Sequence, residues 1–264
     1  MTHKFGAPIK QRKQSMLCCI ATCIIFSNTY ICAAEIDLLS AGAVEPGLRA
    51  AVSKFESSTG HKVNITFQSA PRLKARLDAQ QFADVVVGPP AGMADQLSLD
   101  RLIPSTQKII GRVGIGMAVK NTNLSPDINS VASFERALRD AKTIVYNNAS
   151  TGVHLHKEFE RLGWLTWITP KAVRPGSGSE VADRLLTGEG IEVGFAAITE
   201  MNLYNDKGLK YVGPAPGNFQ NLTDYAVVLS AKAKDLAASQ ALVQWLASEQ
   251  VKAVFIEKGA WVDR

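Results

Sequence analysis

The stretch Asp84-Val-Val-Val-Gly-Pro-Pro90 is the clearest indication of the fold in this sequence. Three consecutive apolar β-branched residues that end at a Gly-Pro turn are typical of a strand buried on both faces, as in a parallel sheet. Two strand and helix pairs precede it: the strand 36–39 with a helix opening at Pro46, and the strand 63–67 with a helix opening at Pro71. Three such strands in about fifty residues predict a parallel sheet covered by helices on both faces.

The alternation of strands and helices continues, less regularly, to the end of the chain. The pattern predicts strands over 113–119, 143–146, 193–196 and 225–229, helices over 131–138, 153–162 and 181–186, and a helical closing segment over 236–255. This is more than one short sheet requires. The sequence therefore predicts an α/β fold with two lobes, each a mainly parallel sheet flanked by helices.

The charge of the chain is concentrated at its N-terminus. The 264 residues carry a formal charge of +5, and residues 1–34 contain four basic side chains and no acid. The other 230 residues then hold 25 basic and 24 acidic side chains, a net charge of +1. A body so close to neutral, without a basic stripe, has no excess charge for phosphate backbones, so we expect no nucleic-acid partner.

Residues 1–34 have the pattern of a secretory signal peptide. A basic stretch precedes the apolar run 17–25, and a Cys-Ala-Ala ending precedes Glu35. The run is shorter than the roughly 20 apolar residues that span a bilayer. The alternatives are an uncleaved membrane anchor or a buried helix, and the polar residues 27–29 argue against both. We therefore expect a periplasmic protein.

All four cysteines lie in this predicted leader. They are Cys18, Cys19, Cys23 and Cys32. A mature chain that begins near Glu35 would contain none, which excludes disulfides, thiol nucleophiles and zinc-thiolate sites from the folded body. Lipid modification of Cys23 or Cys32 is an alternative that the preceding residues fit poorly.

Catalytic motifs are missing where the sequence superficially suggests them. The stretch Gly176-Ser-Gly-Ser179 lacks the G-x-S-x-G spacing of a nucleophile elbow, and Ser177 followed by Glu180 is better explained as a capping box at a helix start. Three glycines that resemble a nucleotide loop lie within or before a strand: Gly111, Gly114 and Gly116. A phosphate-binding loop needs them between a strand and a helix.

Two histidines, His154 and His156, stand two residues apart on a predicted helix. They would point about 200° apart around the helix axis, so they cannot share a metal ion. We expect no metal site, no cofactor and no catalytic residue, and the sequence favours a binding protein over an enzyme.

Short loops of small residues precede several predicted helices. These loops are Ser40–Ala43, Gln68–Pro71, Asn148–Gly152 and Ser177–Ser179, two in each predicted lobe. A helix start offers unpaired N–H groups and the positive end of the helix dipole, and loops that follow parallel strands meet at one edge of the sheet. Taken singly, each loop is only a helix cap. Together they predict a cleft between two lobes that holds an anion without a full basic charge.

At these loops the sequence resembles the periplasmic molybdate-binding proteins of ABC importers. The first half carries the resemblance in the runs Ile36–Leu48, Phe55–Val63, Phe67–Ala70 and Ala83–Val87. Later pieces agree with it: Leu162-Gly163, Gly188-Glu189, Val193–Phe195, Pro214–Pro216, Tyr225-Ala226, Trp245–Glu249, Phe255 and Gly259. The similarity covers nearly the whole predicted mature chain, and it implies a type II periplasmic binding protein fold.

The resemblance also implies a domain plan and partners. One lobe would combine residues 35–118 with 226–264, and the other would hold 119–225, with crossing strands near Val119 and Tyr225. The lobes would close by hinge motion around a small anion, and the closed form would dock on the membrane permease of an ABC transporter. We expect a monomer.

The residues expected at the ligand differ from the family pattern. The family holds its oxyanion with a serine in each of the first two loops and a tyrosine after the Val-Gly-Phe strand, and an approximate alignment places Ala43 (or Gly42), Ala70 and Ala197 there. Candidates to replace the lost hydroxyls are Ser40, Ser69, Ser150, Thr151 and Ser179. Arg72, at the second helix start, suits a carboxylate because its planar fork binds both oxygens. A tetrahedral oxyanion such as molybdate and a small carboxylate both remain open as ligands.

Two other classes of function remain as alternatives. An enzyme on the same scaffold would need a carboxylate or histidine in the cleft with a shifted pKa, and Glu45 and His154 are the nearby candidates. A ligand sensor that docks on a receptor would share every feature described so far.

Overall fold

Two five-stranded sheets organise the body of the protein. The computed structural model describes residues 1–2, 33–122 and 125–261, so almost all of the predicted leader, with its four cysteines, lies outside the described residues. The first sheet contains β1 (Glu35–Ala41), β2 (Lys62–Gln68), β3 (Val85–Gly88), β4 (Lys108–Val113) and β10 (Thr223–Leu229). The second contains β5 (Ile115–Lys120), β6 (Thr143–Tyr146), β7 (Ala172–Val173), β8 (Glu192–Ala197) and β9 (Leu209–Pro214).

Ten α-helices accompany these strands in the part of the chain that the structure describes. They are α1 (Glu45–Thr59), α2 (Ala70–Asp78), α3 (Pro90–Ser98), α4 (Val131–Asp140), α5 (Ser150–Arg161), α6 (Leu165–Ile168), α7 (Gly178–Thr187), α8 (Ile198–Asn202), α9 (Leu236–Leu246) and α10 (Glu249–Glu257). Within the described residues no helix combines the length and the apolar character that crossing a membrane requires.

The first sheet has the order β2-β1-β3-β10-β4. β1 runs parallel to β2 and β3, with Leu38 beside Val85, and β10 lies antiparallel between β3 and β4. The three valines of β3 have no exposed surface, which confirms the buried strand expected from the stretch 84–90. Parallel strands end at the same edge, so the loops after β1, β2 and β3 lie together.

The second sheet has the order β7-β6-β8-β5-β9 and repeats this plan. β6 is parallel to β7 and β8, and β5 is antiparallel between β8 and β9. Apolar clusters cover it: one contains Phe134, Tyr146 and Phe159, and another contains Val181 and Leu185. The expected α/β architecture of two sheets flanked by helices is therefore confirmed. Each sheet is mixed rather than mainly parallel, because the inserted strands β10 and β5 are antiparallel to both of their neighbours.

The chain passes between the sheets twice. It changes sheet at Gly114, and it returns between Pro214 and Thr223. Gln220 ties the two passages together, because its side chain accepts a hydrogen bond from the Ile115 N–H at 2.5 Å and donates one to the Ile115 carbonyl at 3.0 Å. These positions lie a few residues from the lobe limits expected at 118/119 and 225/226, and the division into lobes stays a prediction.

Some elements were not expected from the sequence. The strand expected over 113–119 corresponds to β5, which begins at Ile115. Gly114 separates β5 from β4, which ends at Val113. Helix α3 begins at Pro90, where the Gly-Pro-Pro stretch had indicated only a turn. Proline is favoured at the first helical position because its missing N–H has no partner there in any case, so the same residues that end β3 also begin α3.

Candidate ligand-binding cleft

Four starts of helical segments surround two adjoining cavities. A 3-10 turn at Gly42–Val44 follows β1, α2 follows β2, α5 follows β6 and α7 follows β7. The larger cavity encloses about 160 Å³ and the smaller about 20 Å³, and both are lined by Gly42, Ser69 and Glu200. We call the two cavities together the cleft. Its volume suits a solute of a few heavy atoms, since drug-sized ligands occupy about 300 Å³ or more.

Most of the residues expected at the ligand line the cleft. They are Gly42, Ala43, Ser69, Ala70, Arg72, Ser150, Thr151 and Ser179. Ser40 and Ala197 are not among the lining residues. Ser40 is buried within β1, where its hydroxyl donates to the Ala41 carbonyl at 3.0 Å, and Ala197 ends β8. The structure thus gathers loops from both sheets around one space.

The start of α5 is shaped by Asn147, which sequence reasoning did not single out. This buried side chain accepts hydrogen bonds from the N–H groups of Ala149 at 3.0 Å and Gly152 at 3.1 Å. Gly152 has to be glycine, because a Cβ there would lie 1.7 Å from the Asn147 carbonyl oxygen. Two amides of this loop are therefore occupied by the protein itself, and the next residues, Ser150 and Thr151, line the smaller cavity.

The start of α7 has the capping residues that the sequence indicates, Ser177 and Glu180, but the Glu180 side chain bonds to the amide of Gly176. The Ser177 hydroxyl accepts a hydrogen bond from the Glu180 N–H at 3.2 Å, and the Glu180 carboxylate accepts one from the Gly176 N–H at 2.7 Å. Glu180 also accepts a hydrogen bond from the Arg72 guanidinium at 3.0 Å, which joins α7 to α2 of the other sheet. The Gly176 amide, helped by Arg72, lowers the pKa of Glu180. Arg72 thus bridges the cleft.

Tyr225 brings a hydroxyl into the smaller cavity. It lies on β10, is buried, and shares a hydrogen bond with Ser150, a residue of the other sheet's wall. Burial raises the pKa of Tyr225, so it remains a neutral hydrogen-bonding group. The tyrosine that the family resemblance places near Ala197 is lacking there, and Tyr225 supplies a phenol to the same cleft from a different strand.

Glu200, on α8, is the charged group of the cleft that the sequence did not reveal. It lines both cavities, and burial raises its pKa to about 7, against a hydrogen bond from the Ala197 N–H. The negative charge of Glu45 adds to the increase. α8 also contacts the first sheet's wall, because the Thr199 hydroxyl donates to the Ala43 carbonyl. Glu200 therefore stands where the two walls meet.

The charges that line the cleft are three carboxylates, Glu45, Glu180 and Glu200, and one guanidinium, Arg72. Arg49 pairs with Glu45 at 2.7 Å, and Arg72 pairs with Glu180 at 3.0 Å. Glu200 has no ion-pair partner within residues 33–122 and 125–261. The charge state of Glu200 therefore decides whether the cleft is neutral or negative.

The two histidines examined as ligands lie outside the cleft. The His154 imidazole bonds to the Asn218 carbonyl at 2.8 Å, and His156 bonds to the Tyr146 hydroxyl at 3.2 Å. Across the described parts of the chain, no three His, Cys, Asp or Glu side chains come together as metal ligands would. Of the two residues considered as a base for an enzyme, Glu45 lines the cleft and His154 does not.

A family of known proteins matches almost the whole body. Residues 36–260 match the model of a family described as bacterial extracellular solute-binding proteins. The chain belongs to this family.

Solved structures with this fold include binding proteins for oxyanions. The periplasmic molybdate-binding protein of Azotobacter vinelandii superposes with a TM-score of 0.73 at 15% identity, over 87% of this chain and 100% of that one. The sulfate-binding protein SubI of Mycobacterium tuberculosis gives 0.70 at 16% identity, over 86% of each chain. A substrate-binding domain attributed to a molybdenum ABC transporter of Clostridium difficile gives 0.64 at 16% identity, over 88% of this chain and 100% of that one. They confirm the two-lobed fold.

A relative with an enzymatic name also matches. The aconitate isomerase of a Pseudomonas species is 25% identical over 249 residues, which cover 89% of this chain and 92% of that protein.

Proposed function

We propose that this protein captures a small anion in the cleft and delivers it to an ABC importer from the periplasm. The observation that carries the proposal is that the starts of α2, α5 and α7, from both sheets, meet at one cleft. Such starts supply N–H donors and the positive ends of helix dipoles, which replace the water shell of an anion. The family and the oxyanion-binding neighbours support the same reading.

The chemistry of the walls favours a small carboxylate over molybdate. Ala43 and Ala70 provide no hydroxyl where the family resemblance implies serines, while Arg72 provides a planar fork next to the larger cavity. Losing a hydrogen bond to a charged acceptor costs about 1.5 to 3 kcal/mol, so two missing hydroxyls weaken a tetrahedral oxyanion substantially.

A thermal-shift screen of the purified protein tests this proposal. The panel contains molybdate, tungstate, sulfate, phosphate, succinate and citrate, because an anion present at a hundred times its Kd stabilises by about 2.7 kcal/mol. We expect the carboxylates to raise the midpoint and Arg72→Ala to remove that rise. A rise with molybdate that persists in Arg72→Ala would assign an oxyanion instead, and no rise with any anion would refute capture of an anion.

Export and delivery require experiments in cells. We expect N-terminal sequencing of the protein from the periplasmic fraction to begin near Glu35. Deleting the gene should remove high-affinity uptake of the anion that stabilises the protein. Uptake that survives the deletion would favour the sensor alternative, in which the loaded protein docks on a receptor.

A second candidate function is isomerisation of a small unsaturated polycarboxylate. Two observations favour it: Glu200 lies in the cleft with a pKa of about 7, which suits proton transfer near neutral pH, and the similar protein from Pseudomonas is an aconitate isomerase. The Glu200 carboxylate would take a proton from the methylene carbon beside the double bond. The C–H electron pair would form the new double bond, and the Glu200 carboxyl group, after exchanging its proton with solvent, would deliver a proton to the far alkene carbon.

Turnover separates this candidate from capture alone. Incubation of the protein with trans-aconitate, followed by proton NMR in D₂O, should show cis-aconitate and exchange of the methylene hydrogens. Glu200→Gln should abolish both. Recovery of trans-aconitate unchanged after prolonged incubation would leave binding as the function.

A further inference from the structure

Glu200 is wedged between the two walls of the cleft. A Cβ at Gly42, on the first sheet's wall, would lie 3.0 Å from one carboxylate oxygen, and a Cβ at Gly178, the first residue of α7, would lie 2.0 Å from the other. Both positions are glycine, so the backbone of each wall approaches the carboxylate closely. The carboxylate therefore occupies the point where a solute held by both walls would be contacted.

The neighbouring carboxylates are already engaged. Glu45 is paired with Arg49, and Glu180 is paired with Arg72 and held by the Gly176 amide. Glu200 has the Ala197 amide as a donor and no cation beside it among the described residues. An ionised Glu200 would repel an anion in the cleft, whereas a neutral carboxyl group can donate a hydrogen bond to it.

We propose that Glu200 contacts the bound anion as a neutral carboxylic acid that donates an O–H···O hydrogen bond, so that each capture event takes up one proton from solution. This inference rests on the proposed capture of an anion. It adds the residue that makes the contact, the chemical state in which it does so, and a dependence of affinity on pH.

Other charged and titratable groups surround Glu200. They include Glu45 on α1, Arg72 on α2, Glu180 and Asp183 on α7, Tyr204 after α8, Tyr211 on β9 and Tyr225 on β10. Burial raises the pKa of all three tyrosines, and hydrogen bonding lowers that of Glu180. Glu200, with a pKa of about 7, loses its proton as the pH rises through this value.

Calorimetric titration provides the test. Sulfate, molybdate and citrate serve as probes because their own charges stay constant between pH 7.5 and 9, whereas phosphate titrates nearby. Repeating each titration in buffers with different ionisation enthalpies counts the protons exchanged. We expect uptake of close to one proton per anion at pH 8. The apparent affinity should fall about fiftyfold from pH 7 to 9, with a slope that approaches tenfold per pH unit. The reason is that the fraction of protein with a protonated Glu200 falls in the same proportion.

Variants assign the proton to this residue. Glu200→Gln keeps an N–H donor at the same place, so we expect its affinity to stay within about threefold of the wild type at pH 7 and to become independent of pH up to 9. Glu200→Ala should lose more than tenfold. The matched control is Glu189→Gln. It removes an exposed carboxylate from the part of the chain that forms the second sheet, and it should keep the full pH dependence.

Three outcomes would overturn the inference. Binding without proton uptake by the wild type, or an unchanged pH dependence in Glu200→Gln, would refute it while leaving anion capture intact. Failure of every probe to bind the wild-type protein at pH 6 to 7 would refute capture itself. The proton count is made on the wild-type protein, so it stands even where a variant folds poorly.

Discussion

Helix α7 has a glutamate carboxylate packed against each of its ends. Glu200 lies at Gly178, where the helix begins, and Glu192 lies at Gly188, which directly follows it; a Cβ at these glycines would approach the carboxylates to 2.0 and 1.9 Å. Glu192 is 3% exposed and pairs with Arg184 at 2.6 Å, whereas Glu200 has no such cation in the described chain and opens onto the cleft.

The helix dipole explains part of the difference. The end of a helix repels a negative charge, so Glu192 needs Arg184 there, whereas a carboxyl group at the start of a helix needs no cation, and burial still raises the pKa of Glu200 to about 7. Two carboxylates with similar steric surroundings thus serve different purposes. Glu192 is paired with Arg184 through one oxygen, while its other oxygen has no hydrogen-bond partner within the described residues, and Glu200 faces the cleft, where a solute can contact it.

The largest change in stability is expected when Glu192, like Glu200, is left without a neighbouring cation. Arg184→Ala leaves a buried carboxylate without its cation, which should lower the free energy of unfolding by about 3 kcal/mol. Urea denaturation at pH 7 measures it. Arg161→Ala removes an exposed arginine from a helical pair and serves as the control, with an expected change below 1 kcal/mol. Equal losses in the two variants would show that burial of Glu192 is unimportant.

The next effect concerns the pH dependence of stability. Glu200 has its pKa raised from 4.5 to about 7, so the folded state binds more protons than the unfolded state between these values. Its contribution is present at low pH and is lost as pH rises through about 7, a loss of roughly 2 kcal/mol in unfolding free energy between pH 5 and 8. Glu200→Gln should remove this loss, and Glu189→Gln should retain it. A Glu200→Gln curve parallel to the wild type would contradict the assignment.

A smaller effect is expected from adding one methyl group at either end of α7. Gly178→Ala should displace the Glu200 carboxylate and weaken binding of the stabilising anion at least tenfold, about 1.4 kcal/mol. Gly188→Ala should displace Glu192 instead, lowering stability while leaving affinity unchanged. Gly92→Ala is the neutral control, since its Cβ would meet nothing within 4 Å. Calorimetry and thermal melts on all three variants separate binding from folding.

The smallest change in stability is expected at the ion pair across the cleft. The side chains of Arg72 and Glu180 are 58% and 40% exposed, so Arg72→Ala should change the free energy of unfolding by less than about 1 kcal/mol, and 0.5 M salt should remove even that. Denaturation at low and high salt measures it. A loss as large as that of Arg184→Ala would mean that the bridge is part of the folded core.

The fold was predictable because its signals are local and repeated. Buried valines in 84–90, proline at helix starts and small residues in the loops identified most elements of the first sheet. Helix α3 was missed because Pro89-Pro90 indicates a turn as strongly as a helix start. β9 was missed because its sequence, Leu209–Pro214, mixes Lys, Tyr, Gly and Pro with few apolar residues.

The candidate site was predictable only in its loops. Helix starts follow from sequence, so eight of the ten residues expected at the ligand line the cleft. Glu200 was missed because a glutamate in a short helix carries no local sign of burial. Its environment comes from Gly42 and Gly178, which lie 158 and 22 positions away in the sequence. The closest sequence signal was the alignment at Ala197, the residue whose amide holds Glu200.

The route of the chain between the sheets has a consequence for biosynthesis. β10 fills a place between β3 and β4, yet it is made after all five strands of the second sheet. As the chain emerges N-terminus first, the second sheet is therefore complete, from Ile115 to Pro214, while β3 and β4 still lack the strand that separates them. We expect the second sheet to fold first during emergence of the exported chain, and β3, with its three valines, to be the segment most in need of a chaperone until Thr223–Leu229 emerges.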